Sequence, residues 1–255
     1  MARRDIVNNP EKNGEYWLLQ EVLKSNFSSP IILDIGANKG DWTDYARRLI
    51  LNGENSGRGG GIVYAFEPTA STYKYLVERF QGSEIVKAFR IALSSHSETK
   101  EFFVISEFAG VNTLTKTPGA SVESVEALTV DDFLKQQNIK GVTLVKSDTE
   151  GHDFNVLKGA EQILASGAVE VWQFEYNHRW IEQGCFLKNV FNLIVGKPYI
   201  LGKLFANGIE CYRQWHPELE RFIEGNYVLI KKGGPIEKFC KGVDFDSRNV
   251  PVLTE

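Results

Sequence analysis

Short apolar runs alternate along the chain with longer segments in which apolar residues recur every three or four positions. The runs predict buried strands, and the spaced pattern predicts amphipathic helices. The predicted strands are IILDI (31–35), IVYAFEP (62–68), EIVKAFRIAL (84–93), VTLVKSD (142–148), AVEVWQFEY (168–176), YILGKLFANGIECYRQW (199–215) and NYVLIKK (226–232). The predicted helices cover residues 11–26, 41–52, 71–80, 129–137, 153–167 and 188–196.

The alternation of strands and helices predicts an α/β fold, namely a doubly wound, Rossmann-like, mostly parallel sheet of seven strands. A late strand is expected to be antiparallel because no long crossover precedes it. Residues 96–128 interrupt the alternation, and their segments KEFFVIS and GVNTL predict a β insertion between strands three and four. We expect an N-terminal helical segment, 1–30, and one domain, 31–255. The glycine-rich residues 53–61 predict a loop.

Composition and charge narrow the class of protein. The chain has 255 residues, of which 42% are hydrophobic and 24% charged, as is ordinary for a globular protein. A formal net charge of −4 provides no overall attraction for nucleic acid. The first residues lack the apolar core of a signal peptide, and no apolar run approaches the ~18 residues of a membrane span.

The three cysteines, Cys185, Cys211 and Cys240, lie far apart and form no CxxC pair. This usage is typical of reduced, buried thiols in a cytosolic protein. We therefore expect a cytoplasmic protein without disulfides or a zinc site.

In a doubly wound sheet, ligands bind at the carboxyl ends of the strands, so the residues that follow the predicted strands are the candidates for chemistry. After the first strand, Gly36 and Gly40 permit a tight turn and close approach of a ligand. Asp34 can face a cation, and the helix beginning at Asp41 can attract an anion. A plain strand-to-helix turn is the alternative. A dinucleotide fingerprint would need glycine where Asn38 stands.

The second strand ends in Glu67 and Pro68. A carboxylate at this point can accept both hydroxyl groups of a ribose, while proline restricts the backbone after it. The alternative is a solvated loop acid. The combination of the glycine turn and Glu67 on consecutive strands is more specific than either feature alone.

The segment VKSDTEGHD, residues 145–153, concentrates ionisable groups after the fourth strand. Asp148 ends that strand beside the point where the strand order reverses, so we expect it to touch both cofactor and acceptor. Asp153 is predicted to cap the following helix. Glu150 and His152 remain either surface turn residues or site residues. Glu175 lies at the end of the fifth strand and Asn177 follows it. For Glu175, an ion pair with a lysine or arginine is the alternative role.

The motifs LDIGANKG, YAFEP, IALS and KSDTEGHDFNVLKGAEQIL resemble the FkbM family of class I S-adenosylmethionine-dependent methyltransferases. The resemblance covers most of residues 31–176, and the last motif is the most specific. It implies S-adenosylmethionine as cofactor. The residues implied to bind it are Asp34, Gly36, Asn38, Gly40, Glu67, Pro68, Ala92 and Asp148.

The resemblance also implies O-methylation of a hydroxyl on a small molecule such as a sugar or natural product. The implied catalytic residues are Asp148, His152 and Glu175, with Asp148 or His152 as the base. A divalent ion held by Asp148, Glu175 and Asn177 is the less favoured alternative. Residues 96–128 and the C-terminal third are expected to shape the acceptor pocket.

Two other functions compete with this prediction. One is a nicotinamide-dependent oxidoreductase on a Rossmann-like fold, which Asn38 disfavours. The other is a cofactor-binding module without turnover. A nucleic-acid partner is not expected, because no NPPY-type segment follows the fourth strand and the chain is acidic.

Overall fold

The computed structural model describes residues 9–25, 27–54, 60–104 and 118–254. The segment GVNTL and residues 55–59 of the predicted glycine-rich loop lie outside the described residues.

The strands are β1 (Ile31–Ile35), β2 (Ile62–Phe66), β3 (Val86–Phe89), β4 (Ala92–Leu93), β5 (Glu98–Val104), β6 (Ser121–Leu128), β7 (Val142–Ser147), β8 (Val169–Tyr176), β9 (Tyr199–Phe205), β10 (Gly208–Tyr212), β11 (Gly225–Lys231), β12 (Cys240–Phe245) and β13 (Pro251–Leu253). The α-helices are α1 (Glu15–Lys24), α2 (Asp41–Glu54), α3 (Ala70–Arg79), α4 (Val130–Gln136), α5 (Asp153–Lys158), α6 (Glu161–Ala165), α7 (Arg179–Glu182) and α8 (Leu187–Leu193).

The main sheet confirms the α/β prediction and corrects its size. Its strand order is β13-β12-β10-β9-β11-β8-β7-β1-β2-β3. Five neighbouring strands of this sheet, β3, β2, β1, β7 and β8, run parallel to one another. Strand β11 runs antiparallel to both of its neighbours, β8 and β9. The order reverses between β1 and β7, so their carboxyl ends open a crevice at the edge of the sheet.

The prediction of seven strands is wrong, because the described residues form a ten-stranded main sheet. The predicted strand 199–215 turns at Ala206–Asn207 and becomes the β9–β10 hairpin. Strands β12 and β13 extend the far edge. Strand β12 mixes polar and apolar residues, and β13 is only three residues long and largely exposed, so neither has the longer apolar run by which a buried strand is recognised.

The β insertion forms a second, smaller sheet with the order β4-β6-β5. The predicted third strand, 84–93, therefore divides between two sheets. The break falls at exposed Arg90, whose guanidinium lies 3.3 Å from Glu123 on β6. The main sheet therefore ends at Phe89 on this strand, and the chain joins the smaller sheet at Ala92.

The helix predicted over 153–167 is also divided, into α5 and α6. At Gly159 between them, a Cβ atom would lie 2.0 Å from the Ser94 carbonyl oxygen. The close approach of these two backbones requires glycine and ties the loop after β4 to the end of α5.

Helix α1 packs into the same apolar cluster as β1 and α2, through the fully buried Leu18, Leu19 and Val22. The division into residues 1–30 and 31–255 stays a prediction. Within the described part of the chain, no helix is long and apolar enough to cross a membrane.

The expectation of three free thiols is wrong for two of them. Cys211 on β10 and Cys240 on β12 form a disulfide, with their Cα atoms 5.6 Å apart, whereas Cys185 is free and buried. Strands β10 and β12 pair in parallel, with Ile209 opposite Cys240 and Cys211 opposite Gly242. This pairing brings together two cysteines that are 29 residues apart in the sequence. The predicted cytoplasmic location thereby loses the support of reduced cysteines.

Candidate functional site

Two cavities lie side by side at the carboxyl ends of the central strands. The first cavity, of about 430 Å³, lies above β1, β2 and β7. The second cavity, of about 530 Å³, lies above the ends of β8 to β11. Asp148 and Glu15 line both cavities, and we call the boundary that these two residues share the junction.

The floor of the first cavity is the turn that follows β1. Gly36 has a φ of 82°, and a Cβ atom there would lie 2.0 Å from the Asp148 carbonyl oxygen. Asn38 also adopts a positive φ, of 47°, and lines the cavity. Gly40 instead packs away from the cavity, where a Cβ atom would meet Leu76 and Phe80 of the α3 region at 2.6 Å. The turn thus presents backbone, and little side chain, to a ligand.

Glu67 is held rigidly at the end of β2. Its Oε2 accepts a hydrogen bond from the Asn38 N–H at 3.2 Å, and its Oε1 accepts one from the Thr69 N–H at 2.8 Å. Burial raises the pKa of Glu67 above its ordinary value, although these donors oppose the rise. The fixed carboxylate can accept hydrogen bonds from two neighbouring hydroxyl groups of a ligand, and Pro68 lines the cavity next to it.

An apolar slot forms one side of the first cavity. Ile91, Ala92 and Leu93 come from the end of the split third strand, and Phe102 comes from β5 of the insertion. This slot suits a flat apolar ring. The insertion therefore contributes to the first cavity, and none of its described residues lines the second.

Several polar atoms facing this region have no partner among the described residues. Asn38 Oδ1, Trp42 Nε1 and Thr149 Oγ1 are buried without a hydrogen bond, and all three residues line the first cavity. Buried polar groups are almost always paired, so three unpaired groups around one cavity indicate a place for a polar ligand.

Asp34 lies beneath the cavity floor and lines neither cavity. It is fully buried, and its Oδ2 accepts a hydrogen bond from the Thr43 hydroxyl at 2.5 Å. Burial raises the pKa of Asp34, against the opposing effects of Lys146 and Thr43. Its position connects β1 to α2 and to the lysine on β7.

Lys146 is a site residue that sequence reasoning missed. Its ammonium lies 3.3 Å from Asp148 Oδ2 and 3.7 Å from Asp34 Oδ1, and its side chain lines the first cavity. Burial alone would lower the pKa of Lys146, but the charges of Asp148, Asp34 and Glu15 raise it above its ordinary value. The available signal in the sequence was a lysine inside a predicted buried strand, directly after the run VTLV.

Asp148 follows β7, and its side chain is 41% exposed. Its pairing with Lys146 holds the carboxylate at the junction. A carboxylate that reaches both cavities can take a proton from a ligand in one while lying beside a ligand in the other.

His152 lines the first cavity but is already engaged on both ring nitrogens. Nε2 lies 3.0 Å from the Ser94 hydroxyl, and Nδ1 lies 3.2 Å from the Asn155 amide nitrogen. An amide nitrogen only donates, so the partners assign the proton to Nε2. Burial lowers the pKa of His152 to about 3, which leaves the ring neutral and a weak proton acceptor.

The capping role predicted for Asp153 is wrong. Its Oδ2 accepts a hydrogen bond from the Thr149 N–H at 3.4 Å, so the carboxylate closes the preceding loop and does not bond to the first turn of α5. Complete burial raises the pKa of Asp153 to about 7. Glu150, in the same loop, forms an ion pair with Arg179 and lines the first cavity.

Glu175 lines the second cavity and bonds to Asn177. The Asn177 side-chain nitrogen donates to Glu175 Oε2 at 2.6 Å, and the Asn177 side-chain oxygen Oδ1 accepts from the Arg179 backbone N–H at 2.9 Å. Burial and the charges of Asp148 and Asp153 raise the pKa of Glu175 well above its usual range. The raised pKa favours the protonated carboxylic acid, which can donate a hydrogen bond.

The alternative metal site does not suit this geometry. Both ends of the Asn177 amide are already bonded, one of them to Glu175. In the described ranges, no group of three histidine, cysteine, aspartate or glutamate residues could hold a metal ion.

Comparison with known proteins gives one strong match. The profile described as the Methyltransferase FkbM domain matches residues 34–223. The methyltransferase sdnD of Sordaria araneosa is 25% identical over 183 residues, which cover 57% of this chain and 68% of that protein.

The chain also has distant likenesses among solved structures. An rRNA methylase of Streptococcus thermophilus is 11% identical, with a TM-score of 0.46, and the match covers 87% of this chain and 98% of that one. SMU.1697c of Streptococcus mutans, solved in complex with S-adenosylhomocysteine, is 9% identical with a TM-score of 0.46, and the match covers 89% and 99%. Likenesses this distant decide nothing about the ligand of this chain.

Proposed function

The chain belongs to the FkbM family of S-adenosylmethionine-dependent methyltransferases, and on that premise we propose that it methylates a hydroxyl group of a small molecule. The proposed acceptor is a sugar or another hydroxylated natural product. The observation that carries the proposal is the junction, where Asp148 borders both a cavity suited to the cofactor and a second, polar cavity.

The first cavity is the proposed cofactor site. Glu67 would hold the two ribose hydroxyls, and Pro68, Ala92 and Phe102 would enclose the adenine. Backbone at Gly36 and Asn38 would border the methionine part. When bound, this cofactor supplies a methyl group on a positively charged sulfur.

Asp34 and Gly40 have a supporting role in this proposal. Asp34 holds Lys146 from below, and Gly40 lets α3 pack against the turn. Neither reaches the first cavity, so we assign them to shaping the site and not to contact with the cofactor.

The second cavity is the proposed acceptor site. The protonated Glu175 and the Asn226 amide provide hydrogen-bond donors for a hydroxylated molecule, and Glu210 and Glu224 provide acceptors. Asp148 would take the hydroxyl proton as the acceptor is methylated. Of the two bases considered from the sequence, the geometry favours Asp148, because both nitrogens of His152 are engaged and its pKa is depressed.

A small-molecule acceptor also agrees with the charge of the chain. The formal net charge is −4, and carboxylates outnumber lysines around the second cavity. A nucleic-acid acceptor would need a positively charged surface for its phosphates.

The proposal is tested first by calorimetry with S-adenosylhomocysteine and, in parallel, with NAD. Heat with the former alone supports the cofactor site, and its absence contradicts the whole proposal. The second step incubates the protein with S-adenosylmethionine and a panel of glycosides, aglycones, amines and RNA, with mass spectrometry of the products. Methylation confined to RNA or amines would contradict the hydroxyl acceptor, and binding without any transfer would favour a non-catalytic module.

A further inference from the structure

We propose that Glu15, which precedes the family-matched residues 34–223, is a cofactor-binding residue that faces the positively charged sulfur at the junction. This inference rests on the proposed function, because it takes the first cavity as the cofactor site. No motif of the resemblance includes Glu15, so the sequence did not indicate it.

Position provides the first argument. Among the described residues, Glu15 and Asp148 are the two that line both cavities. Transfer requires the methyl carbon and the acceptor oxygen to approach within about 3–3.5 Å of each other. The carbon must therefore lie where the cavities meet, and the sulfur that carries it lies beside Glu15 and Asp148.

The surroundings of Glu15 provide the second argument. It is the first residue of α1 and is only 8% exposed. Its Oε1 accepts hydrogen bonds from the amide of Asn13 at 2.6 Å and the amide of Asn226 at 3.2 Å. Its Oε2 has no partner among the described residues. One oxygen thus fixes the carboxylate, and the other is available to a ligand.

The backbone holds this carboxylate in place. Gly14, which precedes α1, has a φ of 99°, and a Cβ atom there would lie 2.3 Å from the Phe205 carbonyl oxygen. The beginning of α1 is therefore pressed against the end of β9. This contact explains how a residue near the N-terminus reaches a site built mainly from later strands.

Charge provides the third argument. Asp148 and Glu15 carry two negative charges at the junction, and Lys146, with one positive charge, is shared with the buried Asp34. The surplus favours a cation. S-adenosylmethionine is positively charged at sulfur, whereas S-adenosylhomocysteine is neutral there, so Glu15 should favour the first over the second.

The test measures the affinities of both ligands for the full chain and for the variant Glu15→Gln, which keeps an oxygen to accept from Asn13 and Asn226. We expect affinity for S-adenosylmethionine to fall about tenfold more than affinity for S-adenosylhomocysteine. Glu21→Gln is the matched control, because it makes the same change on α1 at a residue that lines neither cavity. It should leave the ratio of the two affinities unchanged.

Equal loss of both affinities, or no loss, would overturn the inference while leaving the proposed function intact. If the wild-type protein bound neither ligand, the proposed function itself would fail. Thermal unfolding shows whether Glu15→Gln is folded. If Glu15→Gln does not fold, Glu15→Ala removes the same charge without burying an amide. The ratio of its affinities for S-adenosylmethionine and S-adenosylhomocysteine then tests the inference.

Discussion

The two cavities differ in how the chain builds them. The first cavity consists mainly of strand ends and the turns directly after them, such as Gly36 after β1 and Glu67 after β2. The second cavity joins the beginning of the chain to its last third, as in the hydrogen bond between Glu15 and Asn226, which are 211 residues apart. The first is a local consequence of strand–turn–helix units, and the second depends on long-range pairing.

The largest effect should come from closing the floor of the first cavity. Gly36→Ala puts a Cβ atom 2.0 Å from the Asp148 carbonyl oxygen at a φ of 82°. We expect about 2–4 kcal/mol of destabilisation in chemical denaturation, and loss of S-adenosylhomocysteine binding by calorimetry. Gly82→Ala is the control, since its φ is 78° but nothing lies within 4 Å. If Gly36→Ala bound S-adenosylhomocysteine with native affinity, this result would contradict the close approach of Gly36 to the Asp148 carbonyl oxygen.

Asp148→Asn should separate the two cavities functionally. Removal of the proposed base should lower turnover about 10²- to 10⁴-fold, with affinity for S-adenosylhomocysteine changed less than about threefold. Steady-state kinetics and calorimetry together measure both quantities. If affinity fell as far as turnover, Asp148 would belong to the cofactor site alone.

Glu67→Ala should affect the first cavity only. Because both ligands carry the ribose, we expect the affinities for S-adenosylmethionine and S-adenosylhomocysteine to fall together by about 10- to 100-fold. This equal loss of the two affinities contrasts with the unequal loss expected for Glu15→Gln. Glu78→Ala, which removes an exposed glutamate of α3, is the control for both titrations. If only the KM for the acceptor changed, Glu67 would contribute to acceptor binding and not to the cofactor site.

Glu175→Gln should have the smallest effect on turnover, less than about tenfold at neutral pH, because the raised pKa of Glu175 favours the protonated, uncharged form that glutamine resembles. Its effect on stability should depend on pH. The raised pKa of Glu175 stabilises the fold fully below the ordinary value of 4.5, and this contribution is lost as pH rises toward the folded-state pKa. Glutamine avoids that loss.

The thermal midpoint of Glu175→Gln relative to wild type should therefore rise from pH 5 to pH 8. A constant difference would show that Glu175 does not have a raised pKa in the folded protein. Complete loss of turnover at neutral pH would show instead that an ionised Glu175 is required.

Much of the fold could be predicted because its signals are local. An apolar run followed by glycine or an acid identifies the end of a buried strand, and this was sufficient for β1, β2, β7 and β8. The late strands were harder to predict. The prediction of one strand over 199–215 overlooked Asn207-Gly208, a pair that is common in hairpin turns. Strand β12 has no continuous apolar run, so pairing with β10 decides its structure.

The roles of individual site residues follow the same division. The segment VKSDTEGHD suggested a catalytic role for His152, but hydrogen bonds to Ser94 and Asn155 engage both of its ring nitrogens. Ser94 follows β4 and is 58 residues away in the sequence, so the pattern around His152 could not reveal this contact. The sequence indicated no role for Lys146, and only the structure placed its ammonium between Asp34 and Asp148.

By itself, the sequence determined the α/β class, the family, and the residues at the ends of the central strands, because side-chain periodicity and turn chemistry act over a few residues. Only the tertiary structure decided which carboxylates have raised pKa values, which cysteines pair, and which residues meet at the junction. These properties depend on burial and on distances between groups far apart in the chain, and a one-dimensional pattern contains neither.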